Sequence, residues 1–386
     1  MGAAAGFSFA YAGVRTLQAL RDLRSPQRAR TSRDPRAYGG ARRALVLAAS
    51  LRGVASLAVT AFAVAPRVER ALAPLPRALR APVLALVLVA FDALRDLGIA
   101  YVEAHQFERV WGTTEQPARA WLADQAKGAA IGAAVTVVLV ALGDAIVARA
   151  PRRWPWIALA TTPPLLALGT IVVPVFVLPL FNEYKPVTGD LERSIRALAS
   201  RYGAGDATIL HFDMSRQTNK ANAFVIGVLG TQRIALADTL LDAFPEDETL
   251  FVVAHELGHY VRRDPWTGIA VGTALAGATL FGAERLLRAA TGRHVDSPAQ
   301  GARLLFFAEL LQLALVPIVN AVTRGLERRA DTFAVEATGD AQAGIRAFRR
   351  LGEQNLAEFD PPRWAQLLMA SHPSLAERIR ALEATS

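Results

Sequence analysis

The motif HELGH, residues 255–259, carries two imidazoles and a carboxylate at a spacing that suits hydrolytic chemistry. His255 and His259 are four residues apart, so in a helix they lie one turn apart on the same face and can bind one metal ion. Glu256 lies beside them and could take a proton from a metal-bound water, because Zn²⁺ lowers the pKa of that water to about 7. The motif therefore predicts metal-assisted hydrolysis of a peptide bond.

A catalytic zinc ion needs a third protein ligand, and since the chain contains no cysteine this ligand must be His, Asp or Glu. The segment NAVTRGLERRAD, residues 320–331, offers the best candidate. Glu327 and Asp331 are one helical turn apart, so Glu327 could bind the metal while Asp331 accepts a hydrogen bond from Nδ1–H of a ligand histidine. The alternative is a buried helix in which two histidines share this spacing by chance.

The sequence resembles the type I CAAX prenyl protease family, integral-membrane zinc metallopeptidases of the gluzincin group. The resemblance rests on HELGH, on the pattern N-x-x-[ST]-R-x-x-E-x-x-A-D and on SHPSLAERIRAL, residues 371–382. Similar segments occur upstream at residues 179–186 and 222–241 and, more weakly, at 105–116. The resemblance implies a mainly α fold: a polytopic α-helical membrane protein that encloses a chamber and carries a small α/β zinc-metalloprotease insertion.

Further site residues are suggested by the same resemblance. His372 could donate a hydrogen bond to the oxyanion that develops during hydrolysis, and Arg378 could hold that loop through a carboxylate. A lone histidine before a proline is otherwise more often a surface residue. Asn222, Ala223 and Phe224 are similar to the substrate-binding edge of the family.

The composition indicates a membrane protein with one polar domain. Hydrophobic residues make up 52% of the chain and charged residues 20%, and the mean hydropathy is +0.25. The net charge of +9 comes mostly from arginines beside apolar segments, which is typical of positive-inside loops. We expect no nucleic-acid partner, because no Lys/Arg run is interleaved with aromatic residues on a polar domain.

Six stretches have the length and apolarity of membrane spans, namely residues 44–65, 81–104, 128–148, 156–181, 266–287 and 304–322. They divide the chain into five parts: an N-terminal Arg-rich segment, 1–43; four membrane helices, 44–181; a catalytic insertion, 182–264; two membrane helices, 265–322; and a C-terminal catalytic segment, 323–386. Whether the apolar residues 1–13 insert as a further span is open, since 13 residues are short for the roughly 20 that a span needs.

Ionisable residues inside the predicted spans are costly in hydrocarbon and must either pair locally or face a water-filled interior. They are Arg52, Asp92, Arg95, Asp96, Asp144, Glu284 and Glu309. Nine arginines lie between residues 15 and 43, which places that segment in the cytoplasm. Alternation through six spans then puts the insertion and the C-terminus, with all the zinc residues, on the cytoplasmic side.

The insertion is predicted to contain a helix at 190–202, a strand at 208–212 and a hairpin of strands 223–229 and 232–237 that turns at Gly230 and Thr231. A free strand edge just before the zinc helix could pair with an extended peptide and present its scissile carbonyl to the metal. The alternative is that the hairpin is only part of the small-domain core.

The sequence therefore predicts a membrane-embedded, zinc-dependent endopeptidase with one Zn²⁺ per chain. CAAX-type C-terminal processing and membrane-protein quality control are rival physiological roles. A hypothesis from another class is a non-hydrolytic membrane protein that holds or passes polypeptides. The intact Glu256 argues against it, because binding alone has no evident need of a carboxylate between two metal ligands.

Overall fold

The structure, a computed structural model, describes residues 33–227 and 231–385. The predicted segment 1–13 and the first five of the nine N-terminal arginines, at residues 15, 21, 24, 28 and 30, lie outside the described residues. The described chain is mainly helical, with one small sheet whose strands lie between residues 184 and 237.

Five helical segments in the described part of the chain are long and apolar enough to cross a membrane. They are Pro35–Ala71, Ala118–Arg149, Trp154–Leu180, Asp264–Thr291 and Pro298–Thr338. The first consists of α1 (Pro35–Val59), a π-helical turn (Thr60–Val64) and α2 (Ala65–Ala71). The second is α5 (Ala118–Arg149), and the third is α6 (Trp154–Val172) with short turns that extend it to Leu180. Five of the six predicted spans coincide with these segments.

The sixth predicted span, 81–104, is helical but is not among these five. It forms α3 (Arg77–Ala100) and a π-helical turn (Tyr101–Gln106), followed by the short α4 (Phe107–Val110). Asp92, Arg95 and Asp96 break its apolar run, which is the physical reason that composition does not mark it as a span.

Local pairing accounts for several of the charges in the predicted spans. Arg95 binds Asp92 at 2.6 Å and Asp96 at 2.8 Å. Arg52 binds Glu103 at 2.5 Å, and Glu284 lies 2.9 Å from His294 Nδ1. Local pairing is thus confirmed for Arg95, whereas the partners of Arg52 and Glu284 come from outside their own spans.

The insertion is built on a four-stranded mixed sheet in the order β1-β2-β4-β3. The strands are β1 (Tyr184–Pro186), β2 (Thr208–Phe212), β3 (Ala223–Ile226) and β4 (Arg233–Ala237), and α7 (Asp190–Arg201) joins the first two. Helix α7 and β2 agree with the prediction, as does the antiparallel pairing of β3 with β4. The short β1 and the parallel pairing of β2 with β4 were not predicted. Residues 228–230, which include Gly230 of the predicted turn, lie outside the described residues.

The helix that carries HELGH begins earlier than the apolar run suggested. After the short α8 (Asp238–Leu241), α9 extends over Glu246–Val261. It has three acidic residues in its first turn, where negative charge interacts favourably with the helix dipole. Arg263 adopts a left-handed conformation with φ of 58°, and α10 (Asp264–Thr291) starts at once with Pro265 in its first turn. The proline thus begins the next helix as well as ending this one.

Helix α11 (Pro298–Thr338) combines the last membrane span and the third predicted metal ligand in one 41-residue helix. It crosses the predicted boundary between residues 322 and 323. Three shorter helices follow: α12 (Ala341–Gln354), α13 (Arg363–Leu368) and α14 (Leu375–Glu383). The main core of the catalytic part packs α7, the sheet, α9, α11, α12 and α14 together around Phe251, Leu257 and Phe333.

Candidate metalloprotease site

The two histidines of α9 face a carboxylate of α11 across a close helix contact. His255 Nε2 lies 3.3 Å from Glu327 Oε2, and His259 Nε2 lies 3.5 Å from Glu327 Oε1. One ligand atom from each residue falls within 4.8 Å of the other two, so the three residues could hold a metal ion. Glu327 is 5% exposed, and its Oε2 has no hydrogen-bond partner among the described residues. A buried carboxylate oxygen without a hydrogen-bond partner needs another partner, and a metal ion held together with the two histidines would supply it.

Gly258 makes this approach of α9 and α11 possible. A Cβ atom at residue 258 would stand 3.1 Å from the Cα of Ala330 and 3.1 Å from Cδ1 of Phe333. Ala330 lies between Glu327 and Asp331 on α11 and is fully buried. The glycine of HELGH therefore sets the distance between the histidines and their carboxylate partner.

Each histidine is oriented by a second carboxylate, which is in turn held by an arginine. His255 Nδ1 lies 2.8 Å from Asp331 Oδ1, and the Nη2 of Arg378 donates to the same oxygen at 2.5 Å. His259 Nδ1 lies 2.8 Å from Asp264 Oδ2, while Arg329 donates to Asp264 Oδ1 at 2.9 Å. Carboxylates on both Nδ1 atoms leave both Nε2 atoms to face Glu327.

The surrounding groups shift the proton affinities of the α9 residues. Burial acts to lower the pKa of His255, but the neighbouring carboxylates of Asp331 and Glu327 outweigh this effect and raise that pKa to about 9. Loss of solvent raises the pKa of Glu256 above the ordinary value for glutamate, although the neighbouring histidines act to lower it. A raised pKa brings Glu256 closer to the range in which a carboxylate exchanges protons near neutral pH.

The structure also brings the C-terminal loop to the candidate metal ligands. His372 Nε2 lies 3.3 Å from Glu327 Oε1, while its Nδ1 is 2.9 Å from Ser371 Oγ. Arg378 is buried, with its guanidinium group 4.0 Å from the centre of the Phe348 ring. Arg378 binds the carboxylate of Asp331, so it connects α14, which follows the His372 loop, to the partner of His255.

Residues beyond those singled out in the sequence take part in the site. Asp264 and Arg329 orient His259, and the signal for Asp264 was its position directly after the HELGH helix. Arg324 donates to the carbonyl oxygen of Ala370 at 2.7 Å, and Asn320 donates to that of Leu368 at 3.1 Å. The N-x-x-[ST]-R part of the α11 pattern thus holds the chain just before His372.

Strand β3 lies at the edge of the sheet beside α9. Ala237 N donates to the carbonyl oxygen of Asn222 at 3.0 Å, so residue 222 bonds towards β4. Because antiparallel strands alternate, Phe224 and Ile226 bond towards β4 as well, and Ala223 and Val225 point their backbone groups to the free edge. The N–H of Val225 also acts to lower the pKa of Glu256, which places the free edge next to that carboxyl group.

This arrangement defines a class of protein: a multi-span membrane protein with a metallopeptidase site built from an H-E-x-x-H helix, a carboxylate on a neighbouring helix and an adjacent edge strand. Residues 186–386 match Peptidase family M48, and residues 24–183 match a family described as CAAX prenyl protease N-terminal, five membrane helices. The chain belongs to Peptidase family M48. It is an integral, multi-pass membrane metalloprotease, as the sequence predicted.

Individual relatives agree with this family. The chain is 29% identical over 290 residues to Uncharacterized metalloprotease YhfN of Bacillus subtilis (strain 168), covering 72% of this chain and 68% of that protein. It is 27% identical over 327 residues to CAAX prenyl protease 1 of Saccharomyces cerevisiae, covering 78% and 71%. The crystal structure of S. mikatae Ste24p has the same fold, with a TM-score of 0.80, 23% identity and coverage of 98% of this chain and 97% of that chain.

Membership of a peptidase family confirms the predicted hydrolase and speaks against the non-hydrolytic hypothesis. It also confirms dependence on a metal ion and action on peptide substrates.

Proposed function

We propose that the site binds one Zn²⁺ through His255, His259 and Glu327. The separations of 3.3 and 3.5 Å between their ligand atoms suit a tetrahedral ion. Bonds of about 2.0–2.1 Å at tetrahedral angles place neighbouring ligands about 3.3–3.4 Å apart. Nitrogen and carboxylate donors without thiolate match catalytic zinc sites with two histidines and one glutamate. The convergence of these three groups beside Glu256 is the observation that carries the proposal.

In the proposed reaction Glu256 is the general base and then the acid. Bound zinc would polarise the scissile carbonyl group and acidify the attacking water. Glu256 takes the proton of that water and passes it to the leaving amine, and its raised pKa suits both transfers. His372 would donate a hydrogen bond to the developing oxyanion, and the 3.3 Å distance between its Nε2 and Glu327 Oε1 supports this role. Asp331 and Arg378 orient His255 without touching the substrate.

The substrate is proposed to bind as a strand added to the free edge of β3, around Asn222, Ala223 and Phe224. The backbone groups of Ala223 and Val225 face outward there, and Val225 lies next to Glu256. Recognition through these groups tolerates varied side chains, since the backbone supplies the hydrogen bonds. Asn222 directly precedes β3, and its carbonyl oxygen accepts a hydrogen bond from Ala237 N of β4. This residue therefore lies at the beginning of the edge.

The substrate class proposed for this chain is C-terminal CAAX-type peptide, supported by its similarity to CAAX prenyl protease 1. A matched pair of peptides, with and without a prenyl group on the cysteine, tests this class. At least ten-fold faster cleavage of the prenylated member, or about 1.4 kcal/mol, would support it. Equal cleavage of both, together with degradation of an unfolded membrane protein, would favour quality control instead.

We also propose that the site faces the cytoplasm. Tyr38 and Arg43, at the start of α1 and within the arginine-rich segment 15–43, contact the catalytic part, which supports placing this end of α1 on the same side of the membrane as the site. Positive segments prefer the cytoplasmic side. Because the chain has no cysteine, Ser297→Cys, at the N-terminus of α11, and Ser371→Cys, in the loop of His372, supply single labels for the two sides of the membrane. In intact cells an impermeant thiol reagent should label Ser297→Cys alone; labelling of Ser371→Cys alone would reverse the orientation.

Glu256→Gln tests the catalytic proposal. The variant should keep its metal and lose nearly all turnover, since the amide cannot accept the proton of the water while the ligands are intact. Metal content and hydrolysis of an unstructured peptide are measured on one preparation, with and without a chelator. Glu246→Gln, in the first turn of the same helix, is the control and should retain activity. Full activity in Glu256→Gln would remove this residue from the mechanism.

A further inference from the structure

The segment HQFERVWGTTEQ, residues 105–116, contributes to a hydrogen-bond network that the proposed reaction does not use. Glu108 is at its centre, with a side chain 18% exposed. Lys220 Nζ donates to Glu108 Oε2 at 2.9 Å and Arg42 Nη1 donates to Glu108 Oε1 at 2.6 Å. The hydroxyl groups of Tyr38 and Thr113 donate to the same carboxylate. One carboxylate thus joins the first membrane helix to a loop of the catalytic insertion.

Lys220 belongs to the loop 217–221, which leads directly into the proposed substrate strand β3. On the membrane side, Asn219 N and the Thr218 hydroxyl both donate to the carbonyl oxygen of Thr113, at 2.9 and 2.7 Å. On the catalytic side, Asn355 exchanges two hydrogen bonds with the backbone of Ala221, at 2.8 and 3.2 Å. The loop is therefore held between two parts of the protein, and Lys220 is its charged contact with Glu108.

We propose that Glu108 is a positioning residue: through Lys220 it fixes the start of β3, and so the place of the strand's free edge beside Glu256. This inference rests on the proposed binding of substrate to β3. An edge strand has a hydrogen-bonded neighbour on one side only, so its position depends on the loops that hold its ends. Here the loop before β3 is fixed from the membrane helices.

The charges explain why Glu108 is needed. Lys220 Nζ and Arg42 Nη1 each donate to the Tyr38 hydroxyl at 2.8 Å, so two cations meet around one phenol. Both Lys220 and Glu108 are mostly buried, with side chains 21% and 18% exposed. Without the carboxylate the cations would repel each other in a site with little solvent, and Lys220 with its loop would move away. Burial already lowers the pKa of Lys220, and Glu108 acts in the opposite direction.

The test compares variants on peptides that report strand pairing. Full-length enzyme is assayed on an unstructured peptide and on a proline scan of it, because proline deletes a pairing N–H. The measured quantity is the ratio of kcat/KM between the parent and its worst proline derivative. The variants are Glu108→Gln, Glu108→Asp and the double variant Glu108→Gln/Lys220→Met. The control is Glu358→Gln, which breaks the 2.7 Å pair with Arg43 from the same first helix but leaves loop 217–221 untouched.

Glu108→Gln should keep its metal and lose roughly 10–100-fold in kcat/KM on the parent peptide, as expected for a small misplacement of β3. Its ratio of kcat/KM between the parent peptide and the worst proline derivative should be close to one. Glu108→Asp should lose less, and removal of the second cation in the double variant should restore part of the loss. Glu358→Gln should keep the wild-type ratio.

Three results would overturn the inference: a wild-type ratio in Glu108→Gln, an equal loss in Glu358→Gln, or loss of metal in both Glu108 variants. A ratio near one in the wild-type enzyme itself would instead refute the proposed strand binding, so the two failures are distinguishable.

Discussion

Replacing Gly258 by alanine should weaken metal binding although the substitution leaves every ligand in place. The added Cβ would lie 3.1 Å from both the Cα of Ala330 and Cδ1 of Phe333. Ordinary contacts between carbon atoms are about 3.5–4.0 Å, so α9 and α11 must separate by about 0.4 Å or more. Metal sites tolerate deviations of about 0.2 Å in ligand distance, which is smaller than this movement. Glu327, one turn before Ala330 on α11, would move with that helix.

We expect the metal affinity of Gly258→Ala to fall at least about ten-fold, the scale seen when the support of a ligand is disturbed. The overpacked contact should also cost about 1–3 kcal/mol of folding stability. Affinity is measured by competition with a chelator of known zinc affinity, and stability by thermal unfolding in detergent with metal present and absent. Peptidase activity at saturating zinc should recover in part, because excess metal refills a weakened site.

Gly325→Ala is the matched control, since it is the same change on α11 two residues before Glu327. A Cβ there would have no atom of the described residues within 4 Å. Alanine in an open helical position should stabilise by about 0.4–1 kcal/mol and leave metal affinity unchanged. If Gly258→Ala bound metal as tightly as the wild type and unfolded no earlier, the close contact would not be what sets the site geometry.

Three further predictions concern the ligands, the strand and the protons of the site. Glu327→Ala should lose the metal, whereas Asp331→Ala and Asp264→Ala should weaken metal binding by about 10–100-fold each. If metal titrations found an empty site in an aspartate variant and a full one in Glu327→Ala, the assignment of Glu327 as the ligand would be reversed. Val225→Pro should abolish cleavage with metal still bound, because it removes an N–H from the free edge and none from the pairing with β4; unchanged KM and kcat would rule out pairing at this edge. Metal uptake at pH 7.5 should release about one proton from His255, whose pKa Asp331 and Glu327 raise to about 9 against the effect of burial. Calorimetry in buffers of different ionisation enthalpy measures this release, and finding none would contradict the prediction.

The local part of the site could be predicted from the sequence because its geometry is set within one helical turn. The spacing of His255 and His259 fixes their common face in any helix, and Glu256 follows from its position between them. The same reasoning applies to Glu327 and Asp331, and Asp331 indeed contacts His255 Nδ1. Apolar length likewise identified five of the membrane helices.

Only the tertiary structure decided how these pieces meet. The pairing of Asp264 with His259 depends on the left-handed turn at Arg263, and no periodicity reports such a turn. The sequence could not show which residues of β3 face the free edge, because register is a property of two strands and shifts every backbone group when it changes by one. Contacts between Glu108 and Lys220 span 112 residues. Interactions at that separation arise from packing, which local sequence patterns do not encode.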